Sequence, residues 1–329
     1  MKERIPYLDY ARVFAVLLVI YGHLLTYDVY VPRVFIYSFH MAFFFFVSGM
    51  LHKYNGEIQI NKYLRTLVIP IISFNIIMWI LYAPFLESGI IQSSYKGKGL
   101  IYTYLTSFVD GFKGLYYSGE NYTKMSAGPT WFLVVLFYLK ILNDIFNKKW
   151  WVCIIMLFVC VAICKIWGNH FFIKNAVCAF PFYVCGFWAK DFVDNLMNKK
   201  YKILKALILF FILITITRIQ GRVSLLGLMF GNTPRPFNYL LFYVNAFVGT
   251  LMMLYISSVF KKNNHITNLA KALISFLGFQ CIFNHLVGNI IGYNLEWYYT
   301  LLWSICILYI CYGLHILVTN YTPWMLGKW

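Results

Sequence analysis

From Tyr7 to Leu25 the chain reads YLDYARVFAVLLVIYGHLL. This apolar run is long enough to cross a bilayer core as a helix, yet it holds Asp9, Arg12 and His23. Ionisable groups inside a membrane span are costly, and they face a bundle interior or a wet cavity. Arg12 and His23 are eleven residues apart, just over three helical turns. They therefore share nearly one face, about 16 Å apart along the axis. Asp9, three residues before Arg12, is within side-chain reach of it. One helix face thus carries an acid, a base and an imidazole. A plainer reading is a polar seam that helps helices pack, and the residues alone leave both open.

The rest of the chain repeats the membrane signal. It is 61% hydrophobic and only 12% charged, with a mean hydropathy of +0.68. A soluble domain is roughly 45–50% apolar and about 25% charged. Ten segments are apolar enough to span: 11–27, 34–51, 66–86, 129–145, 150–167, 176–189, 203–219, 237–260, 267–291 and 297–319. The expected fold is an all-α bundle of about ten transmembrane helices forming a single domain over 1–329. Residues 102–117 are moderately apolar but interrupted by Asp110 and Lys113. They read as an interfacial or re-entrant piece of a long loop, 87–128. The N-terminus is not expected to be a cleaved signal, because Asp9 and Arg12 interrupt its apolar run.

The net charge of +17 belongs on loops rather than on nucleic acid. With the N-terminus in the cytoplasm, sixteen Lys and Arg fall in cytoplasmic loops and nine in outer ones. Four of those nine sit in the long loop, where the rule has little force, so short loops divide sixteen to five. Both termini are therefore expected inside, with 87–128 outside. No internal repeat is evident, which weighs against a transporter built from inverted halves. The eight cysteines all lie in apolar segments without a CxxC pair. Neither a disulfide framework nor a metal site is implied.

In this topology His23, His40 and His285 fall at one depth on three helices, towards the outer surface. An imidazole there can act as a general base or make an interhelical hydrogen bond. No ligand spacing supports a metal among the three. Lys62 and Arg65, one turn apart in NKYLRTLVIP, lie on the cytoplasmic rim. They can hold phosphates or serve as positive-inside anchors. In GPTWFLVVLF, Pro129 suits a helix start, and Trp131 is either an interface anchor or a pocket wall.

Taken in order, these motifs resemble the acyltransferase family 3 membrane proteins. Tyr7-Leu8-Asp9, Arg12 and, after ten residues, His23 resemble the family's first signature. SFHMAFFFFVSGML resembles its second helix, with His40, the Phe run and Ser48-Gly49. Lys62 and Arg65, with Pro70, resemble its paired basic motif, in which arginine more often stands where Lys62 is. GPTWFL resembles its Trp-Phe-Leu element. LISFLGFQCIFNH, ending at His285, resembles a late helix of the fucose O-acetylase-like branch, with a degenerate Gly-x-x-Ser pattern. No fused extracytoplasmic esterase-like domain is expected.

The resemblance implies an O-acetyltransferase of a bacterial cytoplasmic membrane. It implies acetyl-CoA as co-substrate and a surface glycan or lipid-linked saccharide as acceptor. The partners expected are acyl donor, glycan and membrane lipids, with no nucleic acid. His23, Arg12 and Asp9 are the expected catalytic residues, and Arg65 and Lys62 the donor contacts. His40, Trp131, His285 and Ser48 are expected in the substrate pocket. The alternative is a transporter or flippase of a lipid-linked sugar, with Arg12 and His23 lining its path. Aromatic richness (27 Tyr, 31 Phe) suits sugar stacking in either case.

Overall fold

The computed structural model describes residues 4–25, 30–117, 130–146, 151, 155, 170–221, 236–293 and 295–328. Among these the chain is helical throughout, without a strand. Eight stretches are long and apolar enough to cross a membrane: Pro6–Leu24, Pro32–Met50, Ile60–Ser88, Ile173–Met197, Lys202–Gln220, Leu240–Ser257, Leu273–Ile290 and Trp297–Tyr321. Each coincides with one of the expected spans. The span expected at 129–145 is a shorter helix, Trp131–Ile145, of 15 residues and about 22 Å. The expected segment 150–167 lies outside the described residues apart from two positions. The short segment expected at 176–189 is in fact a helix of 25 residues, Ile173–Met197.

The elements are α1 (Pro6–Leu24), α2 (Tyr30–Tyr37), α3 (His40–Met50), α4 (Ile60–Tyr63), a π-helical turn (Leu64–Val68), α5 (Ile69–Ser88) and α6 (Leu100–Tyr117). They continue with α7 (Trp131–Ile145), α8 (Ile173–Met197), α9 (Lys202–Gln220), α10 (Pro236–Ser257), α11 (Asn264–Lys271), α12 (Leu273–Ile290), α13 (Trp297–Tyr321) and a 3₁₀ turn (Pro323–Leu326). The second span is therefore not one helix. It breaks at Ser38–Phe39, where Ser38 Oγ donates to the Phe35 carbonyl (2.7 Å) and His40 Nδ1 reaches the Ile36 carbonyl (2.9 Å). Side chains satisfy carbonyls that a continuous helix would give to backbone N–H groups. The π turn precedes Pro70, which has no N–H for the carbonyl four residues back.

Residues 100–117 include the piece expected to be interfacial or re-entrant. They form one uninterrupted helix lying along α5, fixed by Trp79 Nε1 on the Tyr104 carbonyl (3.0 Å) and Tyr104 Oη on the Ile80 carbonyl (3.1 Å). Asp110 and Lys113 do not interrupt it, because one turn apart they face each other (3.9 Å). Asp110 also accepts from Tyr95.

Helices α3 and α8 pack backbone to backbone. A Cβ on Gly49 would stand 1.9 Å from the Tyr183 carbonyl oxygen, and one on Gly186 would stand 2.0 Å from that of Phe46. Small residues allow this closeness in a membrane, where dispersion replaces the hydrophobic drive between helices. Phe43, Phe45, Phe182 and Phe242 fill the core around this crossing. On α9, by contrast, Ile203, Leu204, Leu207, Ile208 and Phe211 are exposed. A run of outward apolar side chains is a liability in water but suits hydrocarbon.

Cross-helix contacts orient the bundle. Tyr82, late in α5, meets His285, late in α12, and His285 lies near His23 at the end of α1. Arg65, just before α5, donates to the Gly327 carbonyl just after α13 (3.0 Å). The start of α1 and the end of α13 therefore lie at the same end of the bundle.

Candidate active site

Two polar centres stand at opposite ends of α3, which is about 16 Å long. The first gathers at its N-terminal end. His23, in the last turn of α1, has an accessible side chain. Even so, His40, Arg33 and His285 all lie close enough to act electrostatically on its imidazole. The His23 side chain and these groups from α2, α3 and α12 form one cluster. Tyr37 organises it. Its hydroxyl is 3.3 Å from His23 Nδ1, and its ring lies edge-on to His40, with centroids 4.8 Å apart. The Arg33 guanidinium sits 5.1 Å over that ring and donates to the Leu25 carbonyl (2.8 Å), closing the end of α1. His285 Nδ1 is 3.0 Å from Tyr82 Oη. The three histidines that share a depth in the sequence thus share one region of the structure. Among the described residues no three His, Cys, Asp or Glu converge as a metal site.

The remaining expected residues lie elsewhere. Arg12 pairs with buried Asp9 and donates Nε to the Leu8 carbonyl (3.1 Å), so it is tied to its own helix. Arg4 joins the same carboxylate at 3.7 Å. Trp131 is buried against Phe45 and Phe172. Ser48 is half-buried on α3, eight residues and about 12 Å beyond His40. Lys62 is exposed on α4 and donates to Gln59 Oε1 (2.7 Å). Arg65 sits on the π turn.

The second centre has no counterpart among the residues singled out from sequence. His52, just past the end of α3, is buried between Asp144 and Tyr183. Its Nε2 is 2.7 Å from Asp144 Oδ1, and its Nδ1 is 2.7 Å from Tyr183 Oη. Tyr63 donates to the other Asp144 oxygen (2.7 Å). Four elements are thus joined by three hydrogen bonds. Burial, reinforced by nearby Lys140, lowers the His52 pKa against the pull of Asp144. A neutral imidazole protonated on Nε2 donates to Asp144 and accepts from Tyr183. The sequence offered one cue, in that His52 opens the polar stretch HKYNGE directly after an apolar run.

A family model described as an acyltransferase domain matches residues 5–316, from the start of α1 into α13. Neither a curated protein nor a solved structure matches the chain.

Proposed function

The chain belongs to the acyltransferase family 3 of multi-pass membrane proteins, and from that premise we propose an O-acetyltransferase. It takes acetyl from cytoplasmic acetyl-CoA and delivers it to a hydroxyl of a cell-surface polysaccharide or its lipid-linked precursor. The membrane is the cytoplasmic membrane of a bacterium. The observation that carries this reading is the cluster around His23, where one accessible imidazole is held beside Tyr37 and within range of His40 and His285.

The step is an exchange of ester for thioester. An alcohol is a poor nucleophile until its proton leaves, and His23 accepts that proton through its unprotonated nitrogen. The hydroxyl oxygen bonds to the thioester carbonyl carbon, the carbon–sulfur bond breaks, and the imidazolium returns the proton to the departing thiolate. Tyr37 orients the ring. Arg65 and Lys62, at the other end of the bundle, receive the anionic part of the donor. Arg12 and Asp9 lie in the first two turns of α1, at that same donor end.

Mass spectrometry of the surface glycans from strains with and without this chain tests the proposal. Acetyl esters present only with the chain support it. Unchanged acetylation with a loss of surface glycan would replace it with lipid-linked sugar transport.

A further inference from the structure

Lys140 on α7 makes no ion pair among the described residues, although the Asp144 carboxylate one turn away acts on it electrostatically. The lysine is half-buried, and its ammonium lies 5.3 Å from the centroid of the Tyr63 ring. Asp144, one turn further along α7, has its two oxygens taken by His52 and Tyr63. Lys62, next to Tyr63 in the chain, lies within electrostatic range of Lys140 and repels it. Lys62 donates to Gln59 Oε1. The amide nitrogen of that same Gln59 is buried and has no acceptor among the described residues.

Around Tyr63 the structure thus places Lys140 over the ring, Lys62 next to it in the chain, and the orphaned amide N–H of Gln59 beside Lys62. A buried donor without an acceptor is costly, and so are two like charges held together in a partly desolvated site. A ligand that brings several oxygens and negative charge removes both costs at once. Phosphate is that ligand, because lysine binds it as a point charge and its terminal oxygens can accept from all three donors.

We propose that Lys62, Lys140 and Gln59 form a phosphate-binding site beside the π turn, filled by the acyl donor or by an anionic lipid headgroup. In its donor form the inference rests on the proposed function and adds Lys140 and Gln59 to the Lys62–Arg65 pair. Lys140 supplies charge from a different helix, and Tyr63 holds it in place from beneath. The His52–Asp144 network fixes Tyr63 in turn, so the buried histidine centre positions this site without touching its ligand.

The test uses purified full-length protein in phosphatidylcholine nanodiscs, with coenzyme A as the titrated probe. A second arm counts phosphatidylglycerol retained through purification by native mass spectrometry. Losing one charge-assisted contact should weaken binding roughly tenfold or more. Lys140→Met should show that loss and Lys140→Arg should largely retain binding. Gln59→Glu should also lose it, by setting a carboxylate where the phosphate lies, in a variant that leaves the core untouched. Loss for coenzyme A identifies the donor as occupant. Loss for phosphatidylglycerol alone, with no coenzyme A binding by the wild type, keeps the phosphate site and removes the donor reading. Unchanged binding of both probes in Lys140→Met and Gln59→Glu overturns the inference. If Arg65→Ala then abolishes coenzyme A binding, the proposed function still stands.

Discussion

His52 and Asp144, 92 residues apart, meet at 2.7 Å with side chains 1% and 0% exposed. One follows the second span and the other ends α7, so their contact fixes how these parts of the bundle close. Removing one partner of this buried hydrogen bond strands the other, at a cost of about 1–3 kcal/mol. Asp144→Ala should therefore lower the thermal midpoint in detergent substantially, and His52→Ala similarly. The double variant should cost less than the sum of the two. Additive costs in that cycle would show that the two side chains are not coupled.

The same pair sets a pH dependence. Burial lowers the folded-state pKa of His52, so below about pH 6.5 the unfolded chain binds more protons than the folded one. The contribution to stability is complete above that pH and is lost as pH falls. Melting followed from pH 7.5 to 5.5 should show a falling midpoint, and His52→Gln should flatten that fall. An identical slope in the variant would assign the effect to other groups.

Gly49 and Gly186 mark the tightest crossing in the bundle. An added methyl would meet backbone oxygen at 1.9 Å and 2.0 Å, where no side chain can rotate away. Gly186→Ala should cost about 1–3 kcal/mol or more through overpacking and lower the yield of folded protein. It should also loosen the Tyr183–His52 bond, which depends on the same approach. Wild-type melting behaviour in this variant would mean that α3 and α8 are not in such contact.

His23→Ala should leave folding intact, since the side chain is accessible and, among the described residues, is hydrogen-bonded to Tyr37 alone. Acetyl transfer should fall roughly a hundredfold or more if a general base is lost. Tyr37→Phe should give a smaller fall, because it removes the orienting hydroxyl and keeps the base. Near wild-type turnover by purified His23→Ala protein would move the base to His40 or His285.

Charge asymmetry between loops predicts the orientation. A cysteine at Ser94 should be labelled on intact cells by a reagent that cannot enter, whereas one at Asn198 should not. The reverse pattern would invert the bundle and exchange the roles of its two ends.

What the sequence determined by itself was local or summed over the chain. Hydropathy and length marked the spans, and spacing of three paired Asp9 with Arg12, because such contacts follow from the pitch of one helix. Equal depth grouped His23, His40 and His285, because every span crosses the same slab. Depth says nothing of rotation about the helix axis, and here the tertiary structure decided. It left His23 accessible beside Tyr37, broke the second span at Ser38–Phe39, and carried Arg65 to the C-terminal turn. His52, Tyr63, Asp144 and Tyr183 meet from four elements, and Lys140 comes to rest over Tyr63. Such meetings depend on which helix ridges interlock and how closely Gly49 and Gly186 let backbones approach. That information lies between helices far apart in the chain, where no single stretch of residues displays it.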